Sequence, residues 1–465
     1  MRIWTRYRSA LVSLLACSVA VGSASAEATA ADAAVAAAAP CNVVLIVSDD
    51  QHYRDYAFMG HAHLRTPHLD RLAGESLVYR RGYVTSSLCC PSLASIITGR
   101  YPHEHRIVGN DPPNPPHAGR SAPEAKAAYE AGRERMNQHL AEWPTLPALL
   151  GAQGYRSLQT GKWWQGDFSR GGFTDGMTKG TRHGDAGLEI GRKTMEPIYD
   201  FISRCRKDAK PFFVWYAPML PHNPHDPPKD LVEHYSSKTD SIHVARYWGN
   251  VERFDRSVGE LLDHLDREQL SRDTLVIYVT DNGWIQDPAA ASFGPRSKLS
   301  PYEGGLRSPI MLRQPGAIEP KASDQLASAI DILPTVLAAC GVKPPEDLPG
   351  VNLLDEAAVA ARNQVFGECF THTLVDLDDP ARSLLWRWTV RDNWKLIVPA
   401  TAGTGGPFPA GERQLLDPAT QEKYRQGEVE LFDLAADPDE KKNLASAQPE
   451  VVRELRASLD AWWKP

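Results

Sequence analysis

The chain reads as an α/β protein: a largely parallel sheet covered by helices on both faces, followed by a smaller C-terminal α+β unit with an antiparallel sheet. Three observations predict this. Short apolar runs rich in β-branched residues alternate with helical stretches through most of the chain. After about Val365 the pattern changes to short strands joined by turns rich in Gly, Pro and Asp. At 465 residues, with 42% apolar and 23% charged side chains, the composition is that of a globular protein with a large core rather than a disordered or membrane-embedded one.

In chain order, Arg2, Arg6 and Arg8 precede an apolar run from about Ala10 to Gly22 and the small residues Ala24-Ser25-Ala26. This is the layout of an export signal over residues 1–26, too short for a comfortable membrane span, so no stable transmembrane segment is expected in the mature chain. Cys17 offers a minor lipoprotein alternative. Residues 27–40 are Ala-rich and patternless, a disordered leader. Export places the protein in the periplasm or outside the cell.

Asn42 to Ser48 (NVVLIVS) is a buried strand that ends in Asp49-Asp50. His68 to Ser76 and Pro91 to Thr98 read as helices, and Gly109 to Gly119 as a Pro- and Asn-rich loop. Glu124 to His139 is a polar, surface-lying helix. Thr145 to Gln153 is helix and Tyr155 to Leu158 strand. Met195 to Arg206 is helix and Pro211 to Ala217 strand. Val244 to Leu270 is a long amphipathic helix before the strand Thr274 to Thr280. Pro309 to Arg313 is a short strand and Ala329 to Cys340 a helix. Beyond a boundary near residue 360, Ser383 to Thr389, Trp394 to Val398 and Glu430 to Leu434 are strands, and Glu450 to Trp463 is a closing helix. The expected division is thus a catalytic domain over 41–360 and a C-terminal subdomain over 361–465.

The net charge of −7 argues against a nucleic-acid partner, which selects a basic surface. Of seven cysteines, one lies in the export signal, and the other six show neither metal-knuckle spacing nor a dense disulfide framework. One or two disulfides fit an oxidising compartment, but spacing does not pair them.

Asp49-Asp50 at a strand end repel each other unless a cation lies between them, and a hard divalent ion suits carboxylate oxygens. A second strand end, Thr280-Asp281-Asn282-Gly283, offers one more carboxylate and an amide oxygen. In open α/β sheets such ends converge where ligands bind. Alone, each sequence is equally that of a solvated turn. Cys89, just before a Pro-initiated helix, stands at the positive end of a helix dipole, where a thiolate or an anion is favoured; the other reading is a buried structural cysteine.

The segment Cys89-Cys90-Pro91-Ser92 through Thr98-Gly99 resembles the sulfatase signature C-x-P-S-R, spacer, T-G. Further motifs follow in the family's order: Val47 to Gln51 with Thr66 to Ala73, Thr160-Gly161-Lys162-Trp163, Ala217 to Pro224 (APMLPHNP), Thr280 to Gly283, Lys298 with Tyr302-Glu303-Gly304-Gly305-Leu306-Arg307, and Leu431 to Leu434 with Pro438 to Leu444. The resemblance covers nearly all of the mature chain.

It implies an alkaline-phosphatase-like α/β/α sandwich and a sulfuric ester hydrolase acting on a sulfated carbohydrate or another alcohol or aryl sulfate. Cys89 is then oxidised by a formylglycine-generating or sulfatase-maturing enzyme to formylglycine, whose hydrate attacks sulfur. Asp49, Asp50, Asp281 and Asn282 hold Ca2+, with residue 89 as a further ligand. Asp281 is the base, Lys162 and Lys298 bind the sulfate oxygens, and His222 protonates the leaving alcohol. His183, His103, His105, His225 and Arg182 are candidates to line the substrate pocket. Trp163-Trp164 is either core packing or a sugar-stacking platform.

Two positions depart from the family. Leu93 stands where the signature has Arg, which serves recognition by the maturing enzyme and supports the aldehyde; Arg100 and Arg307 are the candidate electrostatic substitutes. Trp164 stands where His follows G-K-W, and its indole N–H is the only hydrogen bond it has to offer. Two other readings stay open on the sequence: a phosphodiesterase or phosphonate monoester hydrolase of the same superfamily, and a non-catalytic carbohydrate-binding relative.

Overall fold

Twelve strands form two sheets in the computed structural model, which describes residues 41–114, 121–400 and 417–465. The export signal, the Ala-rich leader, Cys17 and part of the Gly109–Gly119 loop lie outside the described residues. The strands are β1 (Asn42–Ser48), β2 (Leu77–Tyr83), β3 (Arg156–Gly161), β4 (Asp175–Gly176), β5 (Phe212–Ala217), β6 (Thr274–Thr280), β7 (Arg307–Arg313), β8 (Lys321–Ser328), β9 (Gln364–Phe370), β10 (Leu384–Arg391), β11 (Trp394–Pro399) and β12 (Glu430–Asp433). The first eight make a mixed sheet in the order β4-β3-β5-β1-β6-β7-β2-β8, in which only β7 runs against its neighbours. The last four form an antiparallel sheet, β12-β11-β10-β9.

The central strands β1, β5 and β6 are apolar through their interiors because both faces of the sheet are covered. The period of two divides each strand between two cores. Val43, Leu45, Val47, Trp215, Ile277 and Val279 face the helices Cys89–Thr98 and Ile332–Ala339. Val44, Ile46, Val214, Tyr216, Val276 and Tyr278 face the helices Pro67–Gly74, Glu196–Lys207 and Ile242–Arg267. The long helix Ile242–Arg267 turns Phe254, Val258, Leu261, Leu262 and Leu265 inward, each worth about 2 kcal/mol of burial. Its first turn is capped by Ser241, which accepts from Val244 N. No helix among the described residues is long and apolar enough to cross a membrane.

Register decides where the site forms. β1 pairs with β6 from Asn42↔Thr274 to Ser48↔Thr280, so the two strands end level. β3 pairs with β5 up to Gly161↔Ala217, and β5 lies beside β1. Four adjacent parallel strands therefore release their chains at one edge, and Lys162, His222, Asp49-Asp50 and Asp281-Asn282 all follow these ends.

Candidate active site

The ladder continues past the strand ends and fixes the acidic corners. Asp281 N donates to Ser48 O (2.9 Å), Gln51 N to Asn282 O (3.2 Å) and Asp49 N to Leu220 O (2.9 Å). Asp50 takes a left-handed backbone (φ 61°), which Asp tolerates better than most residues. Its N–H donates to Asp281 Oδ1 (3.0 Å), which also receives Asn282 N (2.6 Å). The loop carrying His222 is tied down by Asn250 Nδ2, which donates to Pro221 O and Pro224 O.

The glycine motifs serve close approach. Gly283 packs against the backbone of the Tyr302-Glu303-Gly304-Gly305 turn, where an added Cβ would lie 2.1 Å from Gly304 O. Gly305 presses in turn on Ser297 O. That contact holds the loop that carries Lys298 over the end of β6.

Lys298 Nζ donates to both oxygens of Asp50 (2.6 and 2.8 Å) and lies 3.1 Å from Cys89 Sγ. Lys162 Nζ donates to Asp49 Oδ1 at 2.6 Å and reaches Asp281 Oδ2 at 3.5 Å. Asn282 Nδ2 donates to Asp50 Oδ1 at 2.6 Å, and His222 Nε2 stands 3.4 Å from Asp50 Oδ2. His222 Nδ1 faces Asn223 O at 2.5 Å; a carbonyl only accepts, so Nδ1 carries the hydrogen and Nε2 faces the cluster. Ligand atoms of Asp49, Asp50, Cys89 and His222 all fall within 4.8 Å of one another. The structure thus brings all eight sequence-predicted site residues together.

Burial dominates the electrostatics. It raises the Asp49 carboxyl and, with the charge of Asp49, pushes Asp281 up to about 7. Burial acts on Asp50 in the same direction, but Lys298, His222 and Lys162 outweigh it and hold that carboxyl below the usual range. Burial disfavours the charge on Lys162, yet Asp49 keeps it protonated. His222 is lowered to about 3 by burial, and the Cys89 thiol is pushed up to about 12. An unmodified Cys89 is therefore a poor thiolate nucleophile.

A hard divalent ion fits this donor set. Asp49 Oδ2 and Asn282 Oδ1 are buried without a hydrogen-bond partner, an arrangement that costs free energy unless something positive meets them. Asp49, Asp50, Asp281 and Asn282 offer oxygens, the chemistry calcium and magnesium prefer, beside the sulfur of Cys89 and the ring nitrogen of His222.

The remaining sequence candidates separate. Arg182, His183 and His225 lie by the site: the His183 ring is 6.2 Å from that of His222, and His225 packs on Trp284 and Tyr247. His103 instead bonds Glu368 and stacks on Trp463, and His105 is buried against Ser95 Oγ; both belong to the packing. Trp163 and Trp164 are buried, 1% and 2% exposed, which settles them as core rather than a sugar platform. The Trp164 indole N–H makes no hydrogen bond. Leu93 is packed in the core beside Ile96 and Ile97. Neither proposed substitute bonds residue 89: Arg100 pairs with Glu104 and Asp347, and Arg307 with Glu303 and Arg80 O. Asp111 and His372, which stand beside Arg182, carry no motif and were not legible in the sequence.

The sulfatase family model matches residues 41–342. The chain belongs to the sulfatase family. It is a sulfuric ester hydrolase, with a fold shared by sulfatases of known structure. It is 27% identical to the N-acetylgalactosamine-6-sulfatase of Mus musculus over 92% of this chain and 88% of that protein. It is also 27% identical to Homo sapiens arylsulfatase A over 92% of this chain and 90% of that one. The crystal structure of Ps i-CgsB in complex with k-i-k-neocarrahexaose superposes with a TM-score of 0.68, covering 91% of this chain and 93% of that one at 20% identity.

Proposed function

We propose that this sulfatase is an exported enzyme that releases inorganic sulfate from a sulfated carbohydrate, using a formylglycine made from Cys89 and a calcium ion held by Asp49, Asp50, Asp281, Asn282 and residue 89. The carrying observation is the convergence of four parallel strand ends and the Cys89 helix on one buried cluster. The curated relatives act on N-acetylgalactosamine 6-sulfate and aryl sulfates by name, which points to the sugar sulfate class.

Formal charge supports the reading. Three carboxylates and two ammonium groups leave the cluster at −1; a divalent ion turns it to +1, matched to the single negative charge of a sulfate ester. The ion supplies charge neutralisation and orientation, and the hydrated aldehyde supplies an oxygen nucleophile whose second hydroxyl allows release. Lys162 and Lys298, fixed by Asp49 and Asp50, stabilise charge growing on the sulfate oxygens. Asp281, whose proton affinity burial has raised toward neutrality, accepts the nucleophile's proton. His222 moves a proton at Nε2 to the leaving oxygen; the anionic substrate offsets the burial that otherwise keeps the ring neutral.

We keep residues 41–360 as the catalytic part and 361–465 as the C-terminal subdomain, since the large sheet is complete at β8 and the second begins at Gln364. The test is release of sulfate from 6-O-sulfated N-acetylgalactosamine and from 4-nitrophenyl sulfate, beside phosphate release from 4-nitrophenyl phosphate, by protein made in a host with a maturing enzyme. Mass spectrometry of the residue-89 peptide accompanies it. Faster phosphate release would favour the phosphoesterase alternative; an intact thiol with no turnover would favour a carbohydrate-binding relative.

A further inference from the structure

A polar collar lies above the buried cluster and takes no part in it. Asn110 Oδ1 accepts from Cys90 N (2.9 Å), which sets the neighbouring Asp111 beside the start of the Cys89 helix. Arg182 meets Asp111 through two hydrogen bonds, Nε to Oδ1 (3.0 Å) and Nη2 to Oδ2 (2.9 Å), and donates through Nη1 to His183 Nε2 (2.7 Å). Tyr129 adds a hydrogen bond to Asp111 (2.5 Å), and His372 stands 3.9 Å from it. The Arg182 guanidinium lies over the Trp164 ring at 4.8 Å, with Arg133 also over that ring at 5.5 Å. The Arg182 side chain is 41% exposed, against 1% and 8% for Lys162 and Lys298. It belongs to the rim, and they belong to the floor.

We propose that Arg182, clamped by Asp111 and Trp164, is the specificity-determining residue of this sulfatase, and that its subsite takes the hydroxyls of an uncharged sugar ring beside the sulfate ester. Three of its five N–H groups are engaged, which leaves one on each terminal nitrogen as a fork for substrate oxygens. The charge of Arg182 is already matched by Asp111, so a second sulfate or a uronate at this rim meets a carboxylate rather than an unpaired cation. Trp164, in the place of the family's histidine, acts here through Arg182 and not on the sulfate. The inference rests on the proposed sugar sulfatase reading.

The test compares kcat/KM for 6-O-sulfated N-acetylgalactosamine and for 4-nitrophenyl sulfate in wild type, Arg182→Ala and Asp111→Asn. Loss of a charge-assisted contact predicts that the sugar-to-aryl ratio falls about 10- to 100-fold in Arg182→Ala. A parallel fall on both substrates, or an unchanged ratio, would overturn the assignment. Binding of the same sugar sulfate to Cys89→Ala protein, with and without Arg182→Ala, separates the collar from turnover. Weaker binding by at least ten-fold supports it whatever becomes of the hydrolytic reading, and equal affinity refutes it.

An independent observation concerns Cys41 and Cys340. Cys340 Sγ lies 3.7 Å from Cys41 O, across 299 residues of chain, and the Cys41 thiol meets Asn42 O (3.2 Å) and Gln314 Oε1 (3.7 Å). Tyr155 OH donates to Cys41 O (2.8 Å). We infer that these two are a disulfide pair in the exported protein, clasping the start of β1 to the end of the helix Ile332–Ala339. The two thiols lose two protons and two electrons to a disulfide of glutathione or of a thiol oxidoreductase, which is reduced to two thiols as the new S–S bond forms. Reduced full-length protein equilibrated with a glutathione–glutathione disulfide buffer, trapped by alkylation and digested, should yield the linked Cys41–Cys340 peptides, with Cys205 and Cys369 alkylated. The pair should also be linked in protein taken from an exporting host. Alkylation of both thiols in either sample, or bridges to other cysteines, would overturn the pairing.

Discussion

Removing the cation should cost the folded protein a measurable amount, by a route independent of catalysis. A ligand that binds only the native state stabilises it by RT ln(1 + [L]/Kd), about 2.7 kcal/mol at one hundred times Kd. Unfolding entropy near 2.1 cal/mol/K per residue gives about 1 kcal/mol/K for a chain of 465 residues, so melting should rise by about 3 °C. The structure says which residues must carry that shift. Asp49 Oδ2 and Asn282 Oδ1 have no protein partner, so Asp49→Ala and Asn282→Ala remove an ion's ligand; because they also remove the bonds to Lys162 and Asp50, the quantity compared is the calcium-dependent shift and not the chelated midpoint. Calorimetric scans of wild type and both variants, with chelator and with excess calcium, make the comparison. The reasoning fails if calcium leaves the wild-type midpoint unmoved, or shifts all three proteins equally.

Four further outcomes are expected. Asp281→Ala should abolish the calcium-dependent shift and lower kcat/KM by more than a thousand-fold, read by sulfate release, because its carboxylate also receives two backbone N–H groups that hold the Asp50 and Asn282 corners. Cys90→Ser should stay within a few-fold of wild-type kcat/KM, since its buried thiol meets Gln165 Nε2 and not the cluster, whereas Cys89→Ala should lose turnover. Lys395→Met should cost about 3–5 kcal/mol in chemical denaturation, because Lys395 is fully buried between Glu303 (3.0 Å) and Glu440 (2.9 Å) and its loss leaves the buried Glu303 carboxylate without that counter-ion. Burial pushes Glu440 up to about 7 from 4.5, so the folded state keeps a proton that the unfolded chain releases; stability should fall as pH rises from 4.5 to 7, and Glu440→Gln should flatten that decline in pH-dependent melting.

The central strands were legible because burial on both faces leaves an unbroken apolar run, as in NVVLIVS and TLVIYVT. β2 and β8 were not. β2 carries Arg80 and Arg81 where the strand passes a register shift, and the first five residues of β8 line an exposed edge, so neither shows an apolar pattern. The floor of the site was readable because its residues follow strand ends in fixed motifs. Its rim was readable only in part: Arg182 and His183 stood among the pocket candidates, whereas Asp111 and His372 come from separate loops that only tertiary packing brings beside Arg182. The closing motifs have a structural explanation as well. Glu440 and Glu303 meet on Lys395, and Glu440 Oε2 accepts Glu303 N (2.7 Å), so the C-terminal sheet props the turn that positions Lys298.

On the proposed reading, the two departures from the family pattern bear on different stages of the protein's life. Leu93 is 2% exposed and packed in the apolar core, and neither Arg100 nor Arg307 bonds toward residue 89. The floor of the folded site keeps its full set of carboxylates, lysines and imidazole without a side chain at position 93 reaching into it. The family resemblance gives an arginine there two roles, recognition by a maturing enzyme and support of the aldehyde; with position 93 turned into the core, Leu93→Arg should raise the fraction of residue 89 converted more than the rate per converted molecule. Trp164 is buried instead beneath the rim, and on the same reading it bears on the substrate contact through Arg182, whose guanidinium lies over its ring at 4.8 Å. A substitution that alters maturation and one that alters the substrate contact are separable by counting aldehyde and turnover in the same preparation, and a Leu93→Arg protein with unchanged conversion but faster turnover would contradict this division.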